Sequence, residues 1–145
     1  VPFTWGERAP DDHEFLPANI WQGRFPETNS AADGFAATCP VDAFAPNPAG
    51  LWNMLGNVWE WTADPFTTTS LRKSARLAQA ARRGQRVLKG GSYLCHRSYC
   101  FRYRIAARSG STPDSSTGHQ GFRLAYDAEV SSDQSGRASG GPSGP

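Results

Sequence analysis

Glycine and proline recur so densely along this chain that long helices and long strands have little room to form. Fifteen Gly and eleven Pro stand among 145 residues. Each Gly loosens the backbone, and each Pro removes an amide donor. Five Trp and eight Phe supply large apolar side chains that can anchor irregular backbone from within. The expected product is an α+β domain, loop-rich with little regular secondary structure and held by aromatic packing. The length suits one domain with a real core and is too short for two. Residues 130–145 are Ser, Gly and Pro with almost no apolar side chain. Such a segment buries too little surface to offset its ordering entropy, so a disordered tail is expected there and a folded unit over 1–129.

Charge is unevenly placed. Residues 1–64 hold nine acids against Arg8 and Arg24, whereas residues 70–108 hold eleven Lys or Arg and no acid. The basic residues are scattered through a helix candidate and a strand candidate, and the acidic half of the same domain can neutralise them. A solvated face with intramolecular pairing is therefore expected, and no nucleic-acid partner. No run of about 18 apolar residues is present, so no membrane span is expected. No signal peptide is evident either. The first residues, Val1-Pro2-Phe3, read like the middle of something larger, and targeting information could lie upstream. The compartment is left open by the sequence; a bacterial source would imply the cytoplasm.

Local patterns give a coarse map. Residues 1–18 are polar and irregular, and Asn19 to Asp33 follows neither the helix nor the strand period. Gly56-Asn57 reads as a tight turn, followed by a short strand in which Val58, Glu60 and Thr62 alternate with Trp59 and Trp61. Ser70 to Arg83 has helix propensity, with Ser70 as N-cap and Gly84 as stop. Its first turn carries Arg72 and Lys73, which oppose the helix dipole. Phe101, Tyr103 and Ile105 alternate with Arg102 and Arg104 as a strand would. Thr112 to Ser116 is a turn cluster, and Gly121 to Ala125 a final short strand.

Cys95 and Cys100 are the feature to explain. Three cysteines are not a small-domain disulfide framework. Five residues apart, the two would face opposite sides of a strand, or lie about 140° apart on a helix. They meet only if His96-Arg97-Ser98-Tyr99 turns the backbone. A disulfide, a soft-metal site and two inert thiols all remain open on spacing. Zinc is disfavoured, because no second cysteine pair exists. Two thiolates alone suit Cu(I), and Arg97, Arg102 and Arg104 favour thiolate.

The residues around the pair carry a resemblance. Lys89-Gly90-Gly91-Ser92-Tyr93, Cys95-His96-Arg97-Ser98-Tyr99-Cys100, Arg102-Tyr103-Arg104, Thr112-Pro113-Asp114-Ser115-Ser116 and Gly121-Phe122-Arg123 resemble the active-site region of formylglycine-generating enzymes, the sulfatase-modifying factors. Ala18-Asn19-Ile20-Trp21-Gln22-Gly23 and Asn53-Met54-Leu55-Gly56-Asn57-Val58-Trp59-Glu60-Trp61 match as well. The likeness spans about residues 3–126. Its Gly-Gly-Ser and Gly-Phe-Arg frame is shared with relatives of the same C-type-lectin-like fold, including iron-dependent sulfoxide synthases and retroelement-diversified binding proteins. The Cys-His-Arg-Ser-Tyr-Cys core is what singles out the oxidases.

The resemblance implies that folded unit 1–129 is the catalytic portion of such a domain, whose N-terminal remainder would be a partner from the same protein. It implies a copper-dependent, O2-using oxidase that converts a cysteine to Cα-formylglycine. The substrate would be an unfolded or nascent sulfatase polypeptide carrying Cys-x-Pro-x-Arg. Cys95 and Cys100 would hold Cu(I), with the substrate thiol as third ligand, and Ser92, His96 and Trp59 would line the copper and oxygen pocket. Two calcium ions are also implied, one on Asn19, Ile20, Asp33 and Phe35, the other on Asn53, Gly56, Val58 and Glu60, with Ile20, Phe35, Gly56 and Val58 acting through carbonyls. Mixed carboxylate, amide and backbone oxygens are ordinary Ca²⁺ ligands.

Cys39 and the basic helix candidate at 71–83 receive no role. If the first portion of the domain were elsewhere, Trp5 and Trp21 would be expected to lie bare. The competing reading is a non-catalytic binding module of the same fold with Cys95 and Cys100 bridged. A non-haem iron site is weaker, since it wants two His and a carboxylate, and His13, His96 and His119 form no such pattern.

Overall fold

The alternation ending at Thr62 does become a strand, longer at its far end than expected. A computed structural model describes residues 1–67 and 70–126; the expected tail at 130–145 lies outside them. Strand β1 runs Trp59–Pro65, helix α1 Lys73–Ala80, and strands β2, β3 and β4 Arg86–Lys89, Ser109–Ser111 and Gln120–Gly121. The sheet order is β3-β2-β1-β4. Strand β1 pairs antiparallel with β2 (Glu60 with Lys89, Trp61 with Leu88) and parallel with β4 (Trp59 with Gln120), and β2 pairs antiparallel with β3. One face of this small sheet meets a core of Phe3, Ile20, Leu55, Trp59, Leu88, Cys95 and Tyr103. Loops supply most of that core, so aromatic side chains and not extended ladders hold the domain.

Two strand expectations fail. Residues 101–105 are irregular. Tyr103 is buried in the core while Ile105, on the same expected face, is substantially exposed. The backbone is arched by short-range bonds: the Arg102 amide donates to the Cys100 carbonyl at 2.7 Å, and Arg104 Nε to the Phe101 carbonyl at 2.9 Å. The arch lets Phe101 and Tyr103 pack edge-on to each other, centroids 5.2 Å apart, beside the Phe3 ring. Beyond β4 the ladder also stops, at Gly121, where residues 121–125 were expected to form a strand. Arg123 instead reaches the Glu60 side chain and the carbonyls of Trp52 and Asn53.

Helix α1 is real but starts later than expected, with Arg72 as N-cap. The Ser70 hydroxyl accepts from the Arg72 amide at 3.4 Å, ahead of the helix. No helix residue is buried. The charge expectation also needs correction. Among the described residues, no ion pair joins a Lys or Arg of 70–108 to an acid of 1–64. Several of these cations instead meet carbonyls and rings: Arg86 donates to Ala63, Arg108 to Thr67, and Arg82 and Arg108 lie over Phe66. Trp5 and Trp21 are not bare. Trp5 stacks on Phe3, centroids 5.1 Å apart, and Trp21 meets Phe25 edge-on at 5.2 Å.

Candidate active site

Lys89 ends β2, and Gly90 and Gly91 then turn the chain through positive φ, 91° and 75°. A Cβ on Gly91 would stand 3.1 Å from the Tyr103 amide nitrogen, so only glycine lets this turn pack against the Tyr103 arch. Ser92 follows, almost fully buried, and its carbonyl accepts from the Cys95 amide at 2.9 Å. The His96 carbonyl then accepts from the amides of both Tyr99 and Cys100, at 3.0 and 2.8 Å. This is the backbone turn that the spacing required, and it brings Cys100 back to Cys95.

The two sulfurs lie 2.7 Å apart and both thiols are free. Cys95 is buried and Cys100 partly buried. The hydrogen bond with Cys95 brings the Cys100 thiol down to about 7, helped by the Arg102 guanidinium. The same hydrogen bond and burial push the Cys95 thiol far up. Within the pair, ionisation is therefore easier at Cys100 than at Cys95, which holds its proton more tightly. Tyr103, in the same core cluster as Cys95, is also pushed up, chiefly by burial.

His96 is buried. Its Nδ1 accepts from the Ser98 amide at 3.2 Å and lies 2.7 Å from the Ser98 hydroxyl. Trp59 packs in the same core cluster as Cys95. Sequence reasoning thus named five residues that fold into one neighbourhood. It missed Tyr103 as a neighbour of the thiols, because its alternation read as a strand. It also missed Asp12, whose Oδ1 lies 3.6 Å from His96 Nε2; with 83 residues between them, no local pattern could signal it.

The two oxygen sets brace this loop. The Trp21 amide donates to the Cys95 carbonyl at 3.1 Å, the Tyr93 amide to Asn57 at 2.9 Å, and the Gly56 amide to Gly90 at 2.9 Å. In the first set, the Ile20 carbonyl and Asp33 Oδ2 converge on the Gln22 side-chain amide, and Asn19 Oδ1 is buried with no partner. Asp33 Oδ1 accepts from the Phe35 amide at 2.9 Å. Two of these oxygens, the Ile20 carbonyl and Asp33 Oδ2, thus meet at one donor nitrogen. The sequence did not reveal that Gln22 bridges these two oxygens.

The second set fits less directly. Asn53 Oδ1 is buried without a partner, but the Glu60 carboxylate is held by Arg123. A cation there would have to share that carboxylate. Among the described residues no three His, Cys, Asp or Glu side chains gather around one point.

Residues 2–128 match the model of the sulfatase-modifying factor enzyme 1-like domain, and the chain belongs to that family. It is 50% identical over 132 residues to a formylglycine-generating enzyme of Streptomyces coelicolor, covering 90% of this chain and 42% of that protein. It is 52% identical over 126 residues to the formylglycine-generating enzyme of Mus musculus, covering 86% and 34%. A Bos taurus relative named inactive C-alpha-formylglycine-generating enzyme 2 is 41% identical, covering 85% and 38%. The chain thus spans between a third and a half of the length of these relatives. The expected α+β, loop-rich fold of this family stands, with its small sheet and single helix among the described residues.

Proposed function

We propose that this domain carries the thiol site of a formylglycine-generating oxidase, acting on the cysteine of a Cys-x-Pro-x-Arg segment in a sulfatase polypeptide. The free, touching Cys95–Cys100 pair is the observation that supports it most. Two sulfurs without a third protein ligand fit one soft ion and leave a position for a substrate thiol. A bound Cu(I) would supply a soft centre that takes the substrate thiolate and passes electrons to O2. In the overall change the substrate CH2–SH loses two electrons and two protons to O2, giving a thioaldehyde and hydrogen peroxide. Water then replaces sulfur and hydrogen sulfide leaves.

The chain's own residues set the frame for this chemistry. The bonds to the Ser92 and His96 carbonyls fix the spacing of the two sulfurs. Ser92 and His96 would supply polar atoms beside them, and Trp59, in the same core cluster as Cys95, would close the apolar side. Such outer groups tune a metal site by orienting its ligands. The test is titration of the reduced protein with Cu(I), which should saturate at one ion per chain, followed by assay on a Cys-x-Pro-x-Arg peptide. A protein that binds no Cu(I) and leaves the peptide unchanged would be a non-catalytic module of the same fold.

The oxygen cradles are proposed as calcium sites, the first with the stronger chemistry. An ion that binds only the folded state stabilises it by about 2.7 kcal/mol at a hundredfold excess over its Kd. Chelation is therefore expected to lower the melting temperature, and Asp33→Ala to erase most of that response. Glu60→Ala should lower the melting temperature even in chelator, because it also strands Arg123. A melting curve indifferent to chelator would remove calcium from the account.

A further inference from the structure

We propose that Asp12 is a positioning residue for His96, holding the imidazole in one tautomer and one orientation beside the thiol pair. The observation begins at Nδ1. It faces two Ser98 groups, the amide at 3.2 Å, which can only donate, and the hydroxyl at 2.7 Å, which can donate as well. A bare Nδ1 satisfies both, and the ring hydrogen is then assigned to Nε2. That nitrogen is buried and makes no hydrogen bond. The nearest carboxylate oxygen is Asp12 Oδ1, at 3.6 Å. The gap is a few tenths of an ångström beyond an ordinary N–H···O contact, and too narrow for a water to stand between. A buried N–H left unpaired is costly, and hydrogen bonds that matter in a reaction commonly close only when substrate is bound.

The loop that carries Asp12 is built to hold it there. Asp11 Oδ1 accepts from the amides of His13, Glu14 and Phe15, at 2.9, 2.7 and 3.0 Å. Arg8 pairs with Asp11 Oδ2 at 3.2 Å and lies over the Phe15 ring. These bonds hold the Asp11 carboxyl well below the usual carboxylate range. Adjacent acids thus divide the work: Asp11 ties the loop, and Asp12, with a side chain only 21% exposed, is aimed inward. Orientation of an imidazole by a carboxylate is a common way to fix which ring nitrogen faces a reacting group.

The structural part of this proposal stands without the oxidase reading; its effect on turnover rests on that reading. The test labels histidine with ¹⁵N and follows the His96 ring nitrogens, assigned by their loss in His96→Gln. The parent protein should show a single Nε2–H tautomer. Asp12→Ala should give an averaged or altered tautomer pattern with the melting temperature nearly unchanged, since the Asp11 clamp survives, and Asp12→Glu should restore much of the original pattern. An unaltered His96 pattern in Asp12→Ala overturns the proposal, whatever the activity. On a Cys-x-Pro-x-Arg peptide with added copper, Asp12→Ala should lower kcat by roughly tenfold or more with KM little moved, and Asp12→Glu should recover part of it. Parental turnover in Asp12→Ala also overturns the proposal. Failure of the parent protein to oxidise the peptide counts against the oxidase reading and leaves the ring test to decide the structural role.

Discussion

Cys95→Ser and Cys100→Ser are each expected to abolish Cu(I) binding and peptide oxidation, while Cys39→Ser leaves both intact. A serine hydroxyl is a hard, neutral oxygen and a poor replacement for a soft thiolate. The structure separates the two changes by their effect on folding. Cys95 is buried in the core cluster, so a hydroxyl there is expected to cost roughly 1–3 kcal/mol. Cys100 is only partly buried at the edge of that cluster and should lose less stability. Cys39 lies away from the pair, among Asn53 and Asn57, with burial raising its thiol. If the pair instead served as a structural bridge, closing so short a loop would contribute about 2 kcal/mol. Both variants would then lose similar stability, and any activity would survive in the folded fraction. Copper titration, peptide assay and thermal melting on the three variants separate these outcomes. Turnover retained in Cys100→Ser, the variant least able to disturb folding, would end the oxidase reading.

Some of this molecule is written in short-range patterns and some is not. Strand β1 is legible because Glu60 and Thr62 alternate with Trp59 and Trp61, and only one period fits. Helix α1 is legible from propensity, yet its start is not, because Ser70 spends its hydroxyl one step ahead of the helix. Strands β2 and β3 carry little signal of their own. Ser109-Gly110-Ser111 has no alternation and forms a strand only because β2 is there to pair with it. The 101–105 segment misleads for the opposite reason. Its alternating residues satisfy a strand pattern, but its carbonyls are taken by Arg104 and by Lys89, whose ammonium donates to Ile105 and Ala107.

The candidate site divides in the same way. The turn that joins the thiols was deducible, since five-residue spacing allows no other meeting. Gln22 and Asp12 were not, because each acts through a contact that folding alone creates. Gln22 draws together Ile20 and Asp33, and Asp12 approaches His96 across most of the chain. Family resemblance pointed to Asn19 and Asp33, residues that periodicity would have left as an irregular loop.

Gly56→Ala is expected to be among the most destabilising single changes that add only one methyl group. Gly56 has φ of 81°, and a Cβ there would stand 2.5 Å from the Asn19 carbonyl oxygen and 3.3 Å from the Ala18 Cβ. The left-handed conformation alone costs an L-residue about 1–2 kcal/mol. The overlap adds to this, because its partner is backbone and cannot rotate away. Relieving such overpacking by shifting chain typically costs a further 1–3 kcal/mol or so. The shift would fall on a crowded junction. The Asn19 carbonyl accepts from the Asn57 amide at 2.7 Å, and the Gly56 amide donates to Gly90 at 2.9 Å. Asn57 in turn accepts the Tyr93 amide that sits beside the thiol loop. Displacing Asn19 would therefore disturb the first oxygen cradle and the approach to Cys95 together. A total of about 3 kcal/mol or more is a large share of the 5–15 kcal/mol that usually holds a domain. Gly34→Ala is the control, because Gly34 has φ of 93° and nothing within 4 Å of an added Cβ; it should show the conformational cost alone. Denaturant titration of the two variants measures the difference directly. Equal losses would mean that the Asn19 contact yields easily and that the junction is not the rigid link between cradle and thiol loop described above.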